Sequence, residues 1–229
     1  MARTATLAEM RTRAYRRSGN ESETTRFPTA EVTTDINESI ADLYDRLLRA
    51  WGTDRFEASQ SIAVSLAGGS TYALAAAFLE LLAVEIDGTS QGLGKYALKR
   101  FMRGEKADLS NTNSTTGTAP TMYSLIGANV EVLPAPGANY TLTVRYVPAA
   151  TKLVNDADAF DGINGWEEWV VVDVARKLAT KDRDFALVNV LQADLARLTE
   201  RIAARASQRD RGGHRRVVDV RQSWRRRLV

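Results

Sequence analysis

The side chains with ligand or catalytic chemistry fall into four groups, and spacing decides what each can do. Asp156, Asp158 and Glu167 stand at positions one, three and twelve of a calcium loop. Position five, however, is Phe160, and position six, which needs glycine for its sharp turn, is Asp161. Acids ahead of a helix N-terminus account for the same carboxylates without a metal. Gly88 to Lys95 brings glycines before a lysine, as a phosphate loop does. The first glycine would have to stand at 89, where there is Thr89, and Tyr96 replaces the serine or threonine that should follow the lysine. His214 is the single histidine. With no cysteine in the chain it anchors no zinc, and nothing beside it orients it as a base. No constellation of nucleophile, base and electrophile converges, so the expectation is no enzyme, no metal and no cofactor.

The fourth group is basic and aromatic. Ser207 to Val229 holds eight arginines and two aspartates, with Trp224 directly before Arg225, Arg226 and Arg227. Met1 to Arg17 holds five arginines and one glutamate, while the whole chain carries only +3, so the part between is acidic. Two basic ends on an acidic body suit contact with copies of the same chain, with an acidic partner or with nucleic acid. Arginines on phosphates with the indole stacked on a base is one reading of the tail. A basic peptide anchored in a protein groove by Trp224 is the other.

These groups need elements to place them. At 229 residues, 44% hydrophobic and 26% charged, the chain can bury a core of its own. The amino end is Arg-rich and shows no secretory leader, so the four Asn-X-Ser/Thr matches at Asn20, Asn37, Asn113 and Asn139 carry no weight. The longest apolar stretch, Tyr72 to Ile86, is short and interrupted by Glu80 and Glu85, so no membrane span is expected. Leu7, Met10 and Ala14, with Tyr15, predict a helix from Thr6 to Arg17, ended by Ser18-Gly19-Asn20. A second helix is expected after a Thr34 cap, with a stripe of Ile36, Ile40, Leu43, Tyr44, Leu47, Leu48 and Trp51 stopped by Gly52.

The middle of the chain changes period. A strand is expected from Glu57 to Leu66, ending at Gly68-Gly69. Tyr72 to Val84, rich in Ala and Leu, suits a short helix. Gly88 to Gly94 reads as a turn-rich loop, Tyr96 to Met102 as a strand, and Gly104 to Pro120 as a polar, mobile loop. Met122 to Leu133 and Tyr140 to Val147 are the best strands, joined by Pro134-Ala135-Pro136-Gly137. A helical hairpin closes the body. Asn164 is expected to cap its first helix with Glu167 as the capping-box acid, and Trp166, Trp169, Val170, Val174 and Leu178 mark one buried face. In the second helix, Val188, Leu191, Leu195, Leu198 and Ile202 form an a/d seam. Helices, a small antiparallel sheet, then helices make an α+β arrangement.

The order of these pieces carries a resemblance. Tyr72-Ala-Leu-Ala-Ala-Ala-Phe78 and Leu98-Lys-Arg-Phe101 are followed by Val130-Glu-Val-Leu-Pro134 and Tyr140-Thr-Leu-Thr-Val-Arg-Tyr-Val-Pro148. Asp161-Gly-Ile-Asn-Gly-Trp166 then leads into Glu168-Trp-Val-Val-Val-Asp173. From Ala5 to about Arg221 the set resembles the head-to-tail adaptor (connector) proteins of tailed bacteriophages and prophages. One departure is Leu74-Ala75-Ala76-Ala77-Phe78, where family members often have Leu-Pro-x-Asp-Phe, and a more helical turn is expected there.

The resemblance implies a predominantly helical α+β bundle with an inserted small antiparallel β-domain and an extended basic C-terminal arm. The corresponding domains are 1–55 for the N-terminal helices, 56–150 for the insertion with its loop 104–120, 151–206 for the helical hairpin and 207–229 for the arm. It further implies a virion structural protein assembled in the host cytoplasm and placed in the neck between head and tail. There a homo-oligomeric ring, a dodecamer, would sit under the portal protein, extend the DNA channel with at most non-specific contact to genomic DNA, and give a stopper or tail protein its platform. Arg215, Arg216, Val218, Arg221, Trp224, Arg225, Arg226, Arg227 and Leu228 are then expected to dock on the portal. Trp51, Trp166, Trp169, Leu191, Leu195 and Leu198 are expected to pack the bundle or its subunits. The alternative is a nucleic-acid-binding accessory protein that uses its arginine-rich tail.

Overall fold

The computed structural model describes residues 5–21, 25–65, 68–106, 119–160 and 166–209. Helix α1, Leu7–Ser18, opens with a capping box: Thr6 Oγ1 accepts the Glu9 N–H at 3.2 Å, and the Glu9 carboxylate accepts the Thr6 N–H at 3.1 Å. Gly19 ends the helix in the left-handed region, at φ 72°. Leu7, Met10 and Ala14 are fully buried, as their spacing predicts. Helix α2, Thr29–Trp51, starts directly after Pro28, earlier than the expected Thr34 cap. Thr34 lies inside the running helix, where its hydroxyl donates to the Ala30 carbonyl at 3.0 Å. Ile36, Ile40, Leu43 and Leu47 form the buried stripe, with Tyr44, Leu48 and Trp51 half-buried beside it.

Helix α3, Glu167–Asp182, differs from its prediction in two ways. Trp166 is its cap residue and makes no side-chain capping bond, so Glu167 opens the helix instead of closing a capping box; Asn164 lies outside the described residues. The helix is also buried on every side along Trp169–Ala175 and again at Leu178 and Ala179. Its valines read as one apolar face, yet α1, α2 and the last helix, α4 (Phe185–Arg209), all pack against it. Burying one such valine contributes about 1.5 kcal/mol or more, which outweighs the low helix propensity of β-branched residues. Arg183, at φ 64°, turns the chain, and Asp184 caps α4 by accepting the Leu187 N–H at 3.1 Å. Leu191, Leu198 and Ile202 are buried along the α4 seam, with Val188 and Leu195 half-buried. Within this bundle Ser39 of α2 donates to Asp173 of α3 at 2.7 Å, both fully inside.

Between α2 and α3 the chain is strands, so the fold is a mixed α/β one and the expectation of a predominantly helical protein is corrected. One four-stranded antiparallel sheet has the order β2 (Ala58–Val64), β9 (Tyr140–Pro148), β4 (Phe78–Asp87), β5 (Lys95–Ala97). A second has the order β3 (Thr71–Ala73), β8 (Asn129–Leu133), β7 (Met122–Ile126), β6 (Lys99–Arg100), with β6 and β7 parallel. Val64, Val84, Ile86, Leu142 and Val144 from the first sheet meet Tyr72, Val130 and Val132 from the second in one hydrophobic cluster. A separate cluster fills the helical bundle. A two-stranded ribbon of β1 (Ala5–Thr6) and β10 (Ala159–Phe160) ties the amino end to the return segment.

Several sequence expectations change here. The stretch Tyr72 to Val84 is not helical: it is β3, a turn closed by the Phe78 N–H on the Ala75 carbonyl at 3.0 Å, and the long strand β4. The expected more helical turn at Leu74–Phe78 is thus a tight turn between two strands. Tyr96 to Met102 splits into β5 and β6, which belong to different sheets. Met122 to Leu133 is a hairpin, β7–β8, turned at Gly127 with φ 58°. The expected loop from Gly104 to Pro120 lies mostly outside the described residues, as do 107–118 within it.

Candidate functional site

Where the α2 end meets the returning chain, a cleft of about 380 Å³ opens. One wall is Ile40, Tyr44 and Leu47 of α2, with Arg55 and Phe56 just after it. Pro148 to Thr151, Leu153, Ala159 and Phe160 make the other wall. The Tyr44 hydroxyl crosses between the walls and donates to the Pro148 carbonyl at 2.8 Å, and its ring stands edge-on to Phe56 at 5.0 Å. Burial raises the Tyr44 phenol above its ordinary pKa, and the Asp45 carboxylate adds to this, so the phenol stays a donor. Such a lining suits an apolar side chain, since the phenol is spent on a carbonyl. Sequence reasoning missed this cleft, because its walls come from stretches about a hundred residues apart and only Tyr44, at the edge of the α2 stripe, signals it.

Among the described residues, three amino-terminal arginines are held by acids. Arg11 pairs with Asp156 at 3.0 Å, Arg13 and Arg17 both bind the Glu168 carboxylate, and Arg13 also lies 3.9 Å from Glu167. Their charge is neutralised where α1 meets α3 and the return segment. The expectation that this end reaches nucleic acid is thereby weakened for these three side chains. The calcium-like acids are dispersed in the same way. Asp156 serves Arg11, and Asp158 accepts the Asn155 and Val154 N–H groups at 2.8 and 2.7 Å, which hold its carboxyl below the usual range. Glu167 is buried beside Arg13, and the described residues contain no group of three or more metal-type ligands.

The tryptophans and leucines expected to pack are placed as follows. Trp51 and Trp166 meet edge to face at 6.1 Å, and the Trp51 indole N–H donates to the Ile202 carbonyl at 3.3 Å. Arg55 lies over the Trp51 ring at 4.3 Å and Arg205 over Trp166 at 6.0 Å. Trp169 donates to Thr199 Oγ1 at 3.1 Å, with Arg46 over its ring at 5.3 Å. Leu191 and Leu198 are buried in the same bundle, and Leu195 is half-buried at its edge. Arg215, Arg216, Val218, Arg221, Trp224, Arg225, Arg226, Arg227 and Leu228 lie outside the described residues. Phe185 and Val190 of α4 are exposed, at 65% and 60%.

A protein-family model described as SU10 adaptor protein matches residues 5–221. A comparison with curated proteins finds no match.

Proposed function

Because the chain belongs to the SU10 adaptor protein family, a family of phage adaptors, we propose that it is the head-to-tail adaptor of a bacteriophage neck. A phage adaptor is a structural virion component that binds other virion components. In this reading copies form a closed ring, a dodecamer, under the portal protein, and the ring extends the DNA channel and receives the stopper or tail protein. The observation that carries the reading is the family match across nearly the whole chain. Residues 1–55 and 151–206 serve as the bundle, 56–150 as its insertion, and 207–229 as the arm toward the portal. Among the described residues no helix is long and apolar enough to cross a membrane.

The test is the native mass of the full chain, alone and mixed with a portal ring. Mostly monomer in dilute solution and a ring on the portal is the expected result. A stable closed dimer that does not add to portals overturns the reading. A monomer whose only partner is duplex DNA, bound in a salt-dependent way, replaces it with the nucleic-acid alternative.

A further inference from the structure

We propose that the apolar cleft beside α2 is a dock for the chain's own C-terminal segment, residues 210–229, which seats Trp224 there and brings its arginines toward Asp45 of α2.

The first support is where the described chain ends. Ile202, in the last turns of α4, accepts the Trp51 indole N–H at 3.3 Å. Arg55 lies over the same indole, and Arg55 and Phe56 are part of the cleft wall. Helix α4 runs on from there to Arg209, about 10 Å of further rise. The twenty remaining residues thus start at the cleft end of the bundle, and fully extended they reach up to about 70 Å. Reach does not limit the contact.

Size and lining give the second support. A cleft of about 380 Å³ walled by Tyr44, Phe56 and Phe160 suits one aromatic anchor and a smaller apolar neighbour. The segment supplies Trp224 and, four residues on, Leu228.

Charge gives the third. Glu38, Asp42 and Asp45 recur along α2 at spacings of four and three, in an exposed row that Arg49 continues and that lies across the helix from Ile40 and Leu47 of the cleft. Glu38 is shared with Lys177 at 3.3 Å, whereas Asp42 and Asp45 have no ion-pair partner among the described residues. Asp45 lies close enough to Tyr44 of the cleft wall to act on its phenol. Arg225, Arg226 and Arg227 follow Trp224 directly, so an indole in the cleft brings guanidinium groups toward Asp45. The α1 arginines, by contrast, are already held by Asp156 and Glu168 and do not compete for it. Trp224 and Leu228 are also the groups proposed to enter the portal, so the two docks exclude each other. The inference does not depend on the portal.

The absence of cysteine makes the test direct, because Ser223→Cys gives a single site for a nitroxide on the full chain. Backbone amides of 15N-labelled protein are then read for paramagnetic broadening. Strong broadening at Leu47, Phe56 and Ala150, with the Thr29 end of the bundle spared, is the expected result. Raising salt to about 0.5 M should restore those signals, because exposed charges are then screened within a few ångströms. Adding Trp224→Ala to the labelled chain should restore them as well. Broadening spread evenly over the surface, or centred on another face, overturns the inference. So does broadening that appears fully when the nitroxide is on one chain and 15N on another, which would make a second copy's tail the occupant. Portal attachment plays no part in the measurement, so the head-to-tail reading stands or falls separately.

Discussion

Asn37 and Leu153 exchange two hydrogen bonds: the Asn37 side-chain amide donates to the Leu153 carbonyl at 2.9 Å, and the Leu153 N–H donates to Asn37 Oδ1 at 2.8 Å. A side chain of α2 therefore pairs with the return segment as a neighbouring strand would. Asn37→Ala should lower stability by about 1–3 kcal/mol in a denaturant titration, because a buried peptide group loses its partners. Asn37→Asp should cost at least as much, since a carboxylate oxygen would face the Leu153 carbonyl. Equal midpoints for the parent and both variants would refute the clip.

Trp169 tests the centre of the bundle. It is 1% exposed and bonds Thr199 across the α3–α4 contact. Trp169→Ala should cost about 3–5 kcal/mol and leave much of the chain unfolded at body temperature, whereas Trp169→Phe should cost clearly less by keeping the ring in place. Circular dichroism melts of the two variants give the comparison.

Acid should reveal the loop after β4. The Asp87 carboxylate accepts the Thr89 hydroxyl, accepts the Thr89 N–H at 3.0 Å, and pairs with Lys95 at 3.1 Å; these hold its pKa down to about 2. A depressed carboxylate pKa favours the folded state fully above the unfolded value near 4, and the benefit fades as pH falls toward about 2. Asp87→Asn should therefore be less stable than the parent at pH 6, and the gap should close by pH about 2. A gap that is the same at both pH values contradicts the assignment.

Glu168 holds Arg13 and Arg17 together, so Glu168→Gln should loosen α1 first. All three side chains are partly exposed, and the loss should be modest, about 0.5–1 kcal/mol. Hydrogen exchange should quicken at α1 amides while α3 stays protected. Equal protection in both helices would show that α1 is held by Leu7, Met10 and Ala14 alone.

Removing residues 208–229 bears on the proposed arm. The melting behaviour of the body should change little, and attachment to portal rings should be lost. Tight portal binding by the shortened chain would show that another surface makes the contact.

Much of the helical bundle is legible in the sequence because a 3.6-residue period survives wherever one face of a helix is buried. Leu7-Met10-Ala14, the α2 stripe and the Leu191-Leu198-Ile202 seam are examples. Helix α3 hides its full burial, since valines enclosed on all sides show no polar face to contrast with. Strand β4 is misread because its pairing with β9 slips between Phe78 and Glu80 and again between Leu81 and Ala83, which erases the alternation of a strand. The β7–β8 hairpin disappears into an apolar run whose only turn signal is Gly127. Trp166 and Trp169 announce their burial by type and spacing. The cleft does not, because no local pattern records that Phe56 and Phe160 will share a wall with Tyr44.

Ser39 and Asp173 are 134 positions apart in the chain, and the bond between them imposes an order on biosynthesis. A ribosome adding about 5–20 residues each second releases α1 and α2 on the order of ten seconds before α3 exists to cover them. The cluster shared by the two sheets, from Val64 to Val144, is complete before α3 is made. Until then Ile36, Ile40 and Leu43 lack the α3 side chains that cover them, while the strands after α2 are already available to pair. Slowed translation near codons 150–170 should lengthen that wait and raise the fraction of nascent chains held by chaperones, without altering the finished protein.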